Sequence, residues 1–162
     1  MPRYHTLGQI PNKRHITFEK PGGGLYQEEL FGTAGFAGMS SLIYHLYPPT
    51  VVSEVKRLAD VTPEIAIEKN MQALSFQGFS LTPESDYIQS RKTLFVNNDL
   101  HIGLAAPTNF SPDYFYRNSD ADEMLFVHAG SGTMKTMYGN LKFGYGDYLI
   151  IPRGTTYQID FD

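Results

Sequence analysis

Residues 117–157 read RNSDADEMLFVHAGSGTMKTMYGNLKFGYGDYLIIPRGTTY, and this stretch decides the fold. Three short apolar segments, EMLFVHAG, GTMKTMY and DYLIIP, are separated by turns rich in glycine, serine and asparagine. Alternation of apolar and polar residues is typical of strands that bury one face. Gly130, Gly132 and Gly139 permit tight turns, and Pro152 ends a strand because it has no amide hydrogen. Short strands at this spacing predict a β-sandwich or jelly roll.

The strand pattern extends over most of the chain outside this stretch. HITFEKPGGGLYQEELFG predicts a hairpin at about residues 15–31 that turns at its PGGG sequence. MSSLIYHLYPP predicts a strand ended by its two prolines, and MQALSFQGFSL, TLFVN and HIGLAA predict three more. Helical spacing occurs only near residues 52–69, where one short helix or an irregular excursion fits the pattern equally well. We therefore predict one all-β domain, with a hairpin arm at about 1–38, a jelly-roll sandwich or barrel at about 39–162, and at most one or two short helices.

Composition limits the class of function. The formal net charge is −4 and the isoelectric point is near 5.7, so no basic surface is expected for nucleic acid or an anionic membrane. Cysteine is absent, which excludes thiolate nucleophiles and is ordinary in a reducing compartment. No stretch offers the roughly 20 apolar residues that span a bilayer, so a cytoplasmic protein is expected. A small molecule or another protein is the expected partner.

Two spacings in residues 117–157 resemble the motifs of the cupin fold. Glu123 is followed after six residues by Gly130, as in the second half of the first cupin motif. Gly146 is followed at the cupin distances by Pro152 and Gly154, as at the start of the second motif. The glycines and the proline shape turns, so these matches predict the scaffold of a cupin jelly roll.

The metal-binding positions of the two motifs carry other residue types. Metal-binding cupins place an HxH pair, a Glu and a later His around an iron or manganese ion. The HxH positions fall here on Arg117 and Ser119 or on Tyr116 and Asn118, and the later His position is Tyr157. Glu123 alone is retained, and a single carboxylate does not hold a divalent ion tightly. We therefore expect this cupin to contain no metal.

Longer segments resemble one family, the bacterial homogentisate 1,2-dioxygenases. FYRNSDADE, GDYLIIPRGTTY, GLYQEELFGTAGF and YHLYPPT carry the resemblance, which runs over essentially the whole chain. It implies a two-cupin protein more than twice as long, whose C-terminal cupin holds a non-haem Fe(II) with two His and one Glu. The implied reaction is the cleavage of the homogentisate ring by dioxygen to maleylacetoacetate, in tyrosine and phenylalanine catabolism.

Within that resemblance this chain corresponds to the N-terminal, metal-free half, truncated before the catalytic cupin. None of the family's iron ligands has a matching position here, so we expect no catalytic residue in this chain. The role left to it is structural: it would support the catalytic cupin and supply contacts in a homo-oligomer. The isolated chain is expected to be inactive toward homogentisate.

Glu123, Tyr157 and Arg117 are the candidate residues of the cupin pocket. Glu123 is expected to pair with Arg117 or Arg153, because a buried charge needs a partner. Tyr157 is either a binding group at the barrel mouth or a core aromatic whose hydroxyl finds one acceptor. The histidines, His5, His15, His45, His101 and His128, show no metal-binding spacing. His45 and His128 are expected to be packed and hydrogen-bonded.

Two other functions stay open on the sequence. The chain could be a complete metal-free cupin that binds a small carbohydrate or aromatic ligand in its barrel. It could also be an enzyme that uses Tyr157 and a histidine as acid and base, although no carboxylate–histidine pair is evident from the spacing.

Overall fold

The protein has an all-β, cupin-like sandwich fold. The computed structural model describes residues 18–67, 70 and 72–162. Regular structure in these residues consists of strands and one 3-10 turn at Gly78–Ser80. The strands are β1 (Gln27–Ala34), β2 (Ala37–His45), β3 (Lys92–Val96), β4 (His101–Leu104), β5 (Tyr116–Arg117), β6 (Glu123–Phe126), β7 (Gly132–Thr136), β8 (Gly139–Phe143), β9 (Tyr148–Ile151) and β10 (Thr156–Phe161). Among the described residues, no helix is long and apolar enough to cross a membrane.

The main sheet has the strand order β5-β10-β7-β8, and every neighbouring pair is antiparallel. Antiparallel β6 and β9 form a separate ribbon. Side chains alternate between the two faces of a strand. One face of the sheet and one face of the ribbon therefore meet, and the buried core draws on both of them. Its hydrophobic members are Val127, Met134, Phe143, Leu149, Ile151, Tyr157 and Ile159.

The strand register arranges the side chains on the inner face of the main sheet in rows that run across β10, β7 and β8. The middle row consists of Ile159, Met134 and Leu141. One end row consists of Phe161, Gly132 and Phe143, and the other contains Tyr157. A Cβ atom on Gly132 would lie 2.2 Å from the backbone oxygen of Asp160 and 2.7 Å from the Phe143 ring. Any residue larger than glycine at position 132 would therefore collide with the backbone of β10.

β1 and β2 form a hairpin that starts later in the chain than the sequence predicted. The predicted turn at Pro21–Gly24 exists, and a Glu19–Leu25 bridge closes it. The long pairing is instead between β1 and β2, in register from Gln27 opposite His45. The predicted strand at the MSSLIYHLYPP segment is confirmed as β2. Residues 15–17 of the predicted hairpin lie outside the described residues.

Of the two alternatives for residues 52–69, the irregular excursion is confirmed for 52–67 and the short helix is wrong there, while 68 and 69 are not described. The segment is rich in valine and isoleucine, which lose side-chain freedom in a helix, and Pro63 interrupts it. Its apolar side chains are exposed. A short helix in water depends on packing of its apolar face, and this segment has no such packing.

Two further strand predictions need correction. The described part of MQALSFQGFSL, residues 72–81, forms no strand and ends in the 3-10 turn. The sequence did not predict β8, because the Tyr-Gly-Asn sequence was interpreted as a turn between the GTMKTMY and DYLIIP strands. In the structure the two-residue turn precedes Gly139, and β8 continues through Phe143 beside β7. The last strand, β10, is an inner strand of the main sheet, paired with β7 and at its start with β5.

Candidate functional site

Three side chains from distant parts of the chain form a closed polar cluster at one end of the sandwich. Arg91 donates from Nη1 to Glu123 Oε1 at 2.7 Å and from Nη2 to the Tyr157 hydroxyl at 2.8 Å. The Tyr157 hydroxyl in turn donates to Glu123 Oε2 at 2.8 Å. Each pair of the three groups is therefore hydrogen-bonded, and we call them the Arg–Glu–Tyr cluster.

Strand alternation explains two of the three positions. Tyr157 shares the inward face of β10 with Ile159, and only 1% of it is exposed. Glu123 begins β6 opposite Ile151 of β9, at the end of the ribbon's inner face. Arg91 immediately precedes β3 and reaches the cluster from outside the sandwich. Exposed fractions of 9% for the Glu123 side chain and 29% for that of Arg91 show that the ion pair is mostly shielded from water.

Aromatic rings surround the guanidinium group. The Arg91 Cζ atom lies 4.5 Å from the centre of the Tyr87 ring and 5.1 Å from that of Tyr116. Tyr116 also meets Tyr157 edge to face, with 5.6 Å between ring centres. A cation over an aromatic face is stabilised by about 0.5–2 kcal/mol, more when water is excluded. The rings therefore hold Arg91 in place in addition to its hydrogen bonds.

A buried carboxylate orders the loop that supplies Tyr87 and Arg91. Asp86 Oδ1 accepts hydrogen bonds from the backbone N–H groups of Ile88 and Gln89, at 2.9 and 3.0 Å, and from the Tyr114 hydroxyl at 2.7 Å. An Asp at the start of a turn commonly satisfies backbone donors in this way. The loop is thus fixed before the chain enters β3.

Burial controls the protonation of the cluster. It raises the pKa of the Tyr157 phenol well above its usual value, and the nearby Glu123 carboxylate acts in the same direction. Burial also raises the pKa of Tyr87 to about 12. For Arg91 burial acts to lower the pKa, but the neighbouring phenols and Glu123 outweigh it and the pKa is raised. Near neutral pH the phenols are therefore neutral donors around a cationic guanidinium.

The residues present do not fit an iron ion at this position. Both carboxylate oxygens of Glu123 are engaged, one by Arg91 and the other by Tyr157. A guanidinium in contact with the carboxylate would repel a divalent cation, and no imidazole belongs to the cluster. Within residues 18–67, 70 and 72–162, no three His, Asp or Glu side chains are grouped to hold a metal.

The structure brings two of the three predicted pocket residues together and separates the third. Glu123 and Tyr157 are in contact, whereas Arg117 faces the other side of β5 and donates from Nε to Thr156 Oγ1 at 2.8 Å. The predicted ion pair of Glu123 exists, but its assigned partner was wrong. Arg117 neighbours the inward-facing Tyr116, so alternation turns it outward. The backbone N–H of Arg153 donates to Asp122 Oδ1 at 2.8 Å.

Sequence reasoning missed Arg91. It lies 32 residues from Glu123 and 66 residues from Tyr157, and no local spacing connects them. The rule that a buried carboxylate needs a cation predicted that a partner exists, but only the fold selects among the arginines. Tyr87 was missed for the same reason.

The two histidines expected to be packed behave differently. His45 Nε2 forms a 2.8 Å hydrogen bond with Glu29 Oε2 across the β1–β2 hairpin, so that prediction is confirmed. His128 is exposed and stacks on Phe79 with ring centres 4.3 Å apart, and within the described residues it has no hydrogen bond. The prediction of a hydrogen-bonded core histidine is wrong there, because just past the end of β6 it is Val127 that is buried. His5 and His15 lie outside the described residues.

The fold and the cluster define a cupin-like all-β sandwich in which an arginine, a glutamate and a tyrosine occupy the end of the core. The chain is 37% identical over 158 residues to a protein of Saccharolobus solfataricus that carries the name "Putative dioxygenase". The match covers 98% of this chain and 41% of the relative, so the chain spans about two-fifths of the length of the relative it matches. No protein-family model and no solved structure matches the chain.

Proposed function

We propose that this chain is the non-catalytic cupin half of a dioxygenase that cleaves homogentisate with dioxygen to give maleylacetoacetate. The name of the relative supports the dioxygenase class, since the similarity extends over 98% of this chain. Homogentisate as the substrate, and with it tyrosine and phenylalanine catabolism, rests on the resemblance of the four segments quoted above. In this proposal the Fe(II) and its ligands belong to the other half, which also binds the small aromatic substrate.

The observation that carries the non-catalytic role is the closed hydrogen bonding of Glu123. This residue stands where the first cupin motif supplies a metal ligand, and its two oxygens accept from Arg91 and Tyr157 at 2.7 and 2.8 Å. The Arg–Glu–Tyr cluster thus occupies the place of a metal centre with an internal ion pair. In this proposal the domain stabilises the protein and leaves the chemistry to the other half.

The remaining parts of the proposal concern location and assembly. We propose a cytoplasmic homo-oligomer in which this half supplies contacts between subunits. Exposed apolar side chains on the outer face of β6 and β9 offer surface for such contacts: Met124, Phe126, Tyr148 and Ile150.

The test combines metal content with oxygen consumption. The purified 162-residue chain is incubated with Fe(II), desalted and measured for iron by mass spectrometry, and oxygen uptake is followed with homogentisate. The full-length Saccharolobus solfataricus relative, treated identically, is the comparison. We expect iron near zero and no uptake in the short chain, with about one iron per chain and uptake in the relative. Stoichiometric iron or uptake in the short chain would refute the non-catalytic role, and an iron-loaded relative that ignores homogentisate would refute the substrate.

A further inference from the structure

The ribbon of β6 and β9 is apolar on both of its faces. Its inner face joins the core through Leu149 and Ile151. The four outer positions, which we call the ribbon face, are between 49% and 67% exposed and carry Met124, Phe126, Tyr148 and Ile150. An antiparallel ribbon with one face in water normally has polar side chains on that face. Apolar residues on both faces are instead typical of strands that are covered on both sides.

A second uncovered apolar surface lies in residues 51–60, which have no regular structure. At the 3.6-residue period of a helix, the apolar side chains of this segment fall in one arc and the charged ones fall outside it. The apolar set is between 71% and 85% exposed: Val51, Val52, Val55 and Leu58. Thr50 just before the segment is of a type that caps helices, and Pro63 prevents a helix from continuing. We call residues 51–60 the amphipathic segment.

The amphipathic segment matches the ribbon face in length and in charge. As a helix residues 51–60 would be roughly 15 Å long, and each strand of the ribbon spans roughly 13 Å. The charges of the segment neutralise one another, since Lys56 Nζ lies 2.8 Å from Glu54 Oε1 and Arg57 Nη2 lies 2.9 Å from Asp60 Oδ2. The four side chains of the ribbon face are uncharged, so a segment whose charges are already paired leaves no ion unpaired there.

Both surfaces are exposed on the same chain, so the contact that covers them joins two chains. We propose that two copies of this chain exchange their amphipathic segments, and that each segment folds into a helix on the ribbon face of the other copy. A short helix forms when its apolar face gains packing, which the ribbon face supplies. This inference rests on the homo-oligomer of the proposed function and identifies one of its contacts.

The exposed area favours an exchange in both directions. One segment and one ribbon face together expose roughly 1,000 Å² of apolar surface, which is near the lower limit of a specific interface. A reciprocal exchange brings together roughly 2,000 Å², which is enough for a stable dimer. It also closes with two-fold symmetry, the commonest symmetry of soluble oligomers.

The first measurement follows the mass and the helix content of the 162-residue chain from micromolar to millimolar concentration. Light scattering should show the mass doubling. The helical circular dichroism signal should rise over the same concentrations, by the amount expected for roughly ten residues per chain. A chain that stays monomeric throughout, or that dimerises without gaining helix, would overturn the proposal.

Cysteine pairing locates the contact, because the chain contains no cysteine of its own. Chains with Leu58→Cys are mixed with chains with Ile150→Cys and oxidised, and a mixed disulfide dimer is expected. Phe36→Cys is the control, since Phe36 is fully exposed at the turn between β1 and β2 and should not couple to Ile150→Cys. Equal coupling of the control would contradict the exchange. So would a doubly substituted chain, Leu58→Cys with Ile150→Cys, that closes its disulfide within a monomer.

A charge on the amphipathic segment separates docking from folding. Leu58→Asp alters an exposed side chain, so the monomer should keep its stability while the dissociation constant of the dimer rises at least about tenfold. Phe36→Asp should dimerise like the unaltered chain, and equally tight dimerisation of Leu58→Asp would refute the exchange. These measurements use neither iron nor homogentisate, so this inference can fail while the dioxygenase proposal stands, and the reverse also holds.

Discussion

Replacing Arg91 by methionine would remove the cation from the Arg–Glu–Tyr cluster and leave the Glu123 carboxylate with Tyr157 alone. Breaking a buried ion pair on one side costs about 3–5 kcal/mol, because the remaining charge stays desolvated. The Glu123 side chain is only 9% exposed, but the Arg91 side chain is 29% exposed, so water can partly replace the guanidinium. We therefore expect a loss near the lower limit, about 3 kcal/mol in the free energy of unfolding. For a domain of this size that lowers the Tm by about 6–12 °C.

The assay is urea unfolding at neutral pH, followed by far-ultraviolet circular dichroism, on a double-mutant cycle of Arg91→Met and Glu123→Gln. Neutral glutamine no longer needs a cation, so the double variant should recover about 2 kcal/mol relative to the sum of the single losses. Arg117→Met is the control, since that arginine is exposed and, among the described residues, its side chain bonds only to Thr156. It should change stability by less than about 0.5 kcal/mol. A loss below about 1 kcal/mol for Arg91→Met, or losses that simply add, would refute the reasoning.

Two further perturbations test the core and its tyrosines. Gly132→Ala should destabilise by about 3 kcal/mol, because its Cβ would overlap the backbone oxygen of Asp160, whereas Gly144→Ala meets nothing within 4 Å and should be near neutral in the same thermal melts. The pKa values of Tyr157 and Tyr87 are raised by burial, Tyr87 to about 12. The contribution of Tyr87 to stability is therefore present below pH 10 and lost as the pH rises from about 10 to 12, and that of Tyr157 is lost from pH 10 upward and beyond this window. Absorbance at the phenolate band should show that some tyrosines ionise only as the protein unfolds. The Tyr157→Phe variant should contain fewer such tyrosines. Free titration of every tyrosine in the folded state would contradict this expectation.

The sequence was sufficient to predict the class of fold and most of the C-terminal strands. Strict alternation in the EMLF and TYQIDF segments fixes which side chains point inward, and the structure places Leu125 and Ile159 accordingly. Failures occurred where a local pattern needed a tertiary partner. The 52–67 segment has helical spacing without a surface on which to pack, and β8 is a strand only because β7 lies beside it.

The candidate site was predictable to a lesser degree. The cupin spacing singled out Glu123 and Tyr157, and alternation brings both to the inner faces of their strands. Arg91 comes from a loop whose path is set by hydrogen bonds to Asp86. Long-range pairing of this kind depends on the three-dimensional course of the loop, which single-sequence patterns do not encode.

The position of β10 also has a consequence for the synthesis of the chain. The buried core hydrophobics of the described residues lie between Val127 and Ile159, and β10 is the inner strand to which β5 and β7 both attach. Translation at roughly 5–20 residues per second means that Tyr157 follows Val127 off the ribosome by roughly 1.5 to 6 seconds. For that interval the main sheet lacks its inner strand. The core between Val127 and Ile159 should therefore close only once β10 has been made.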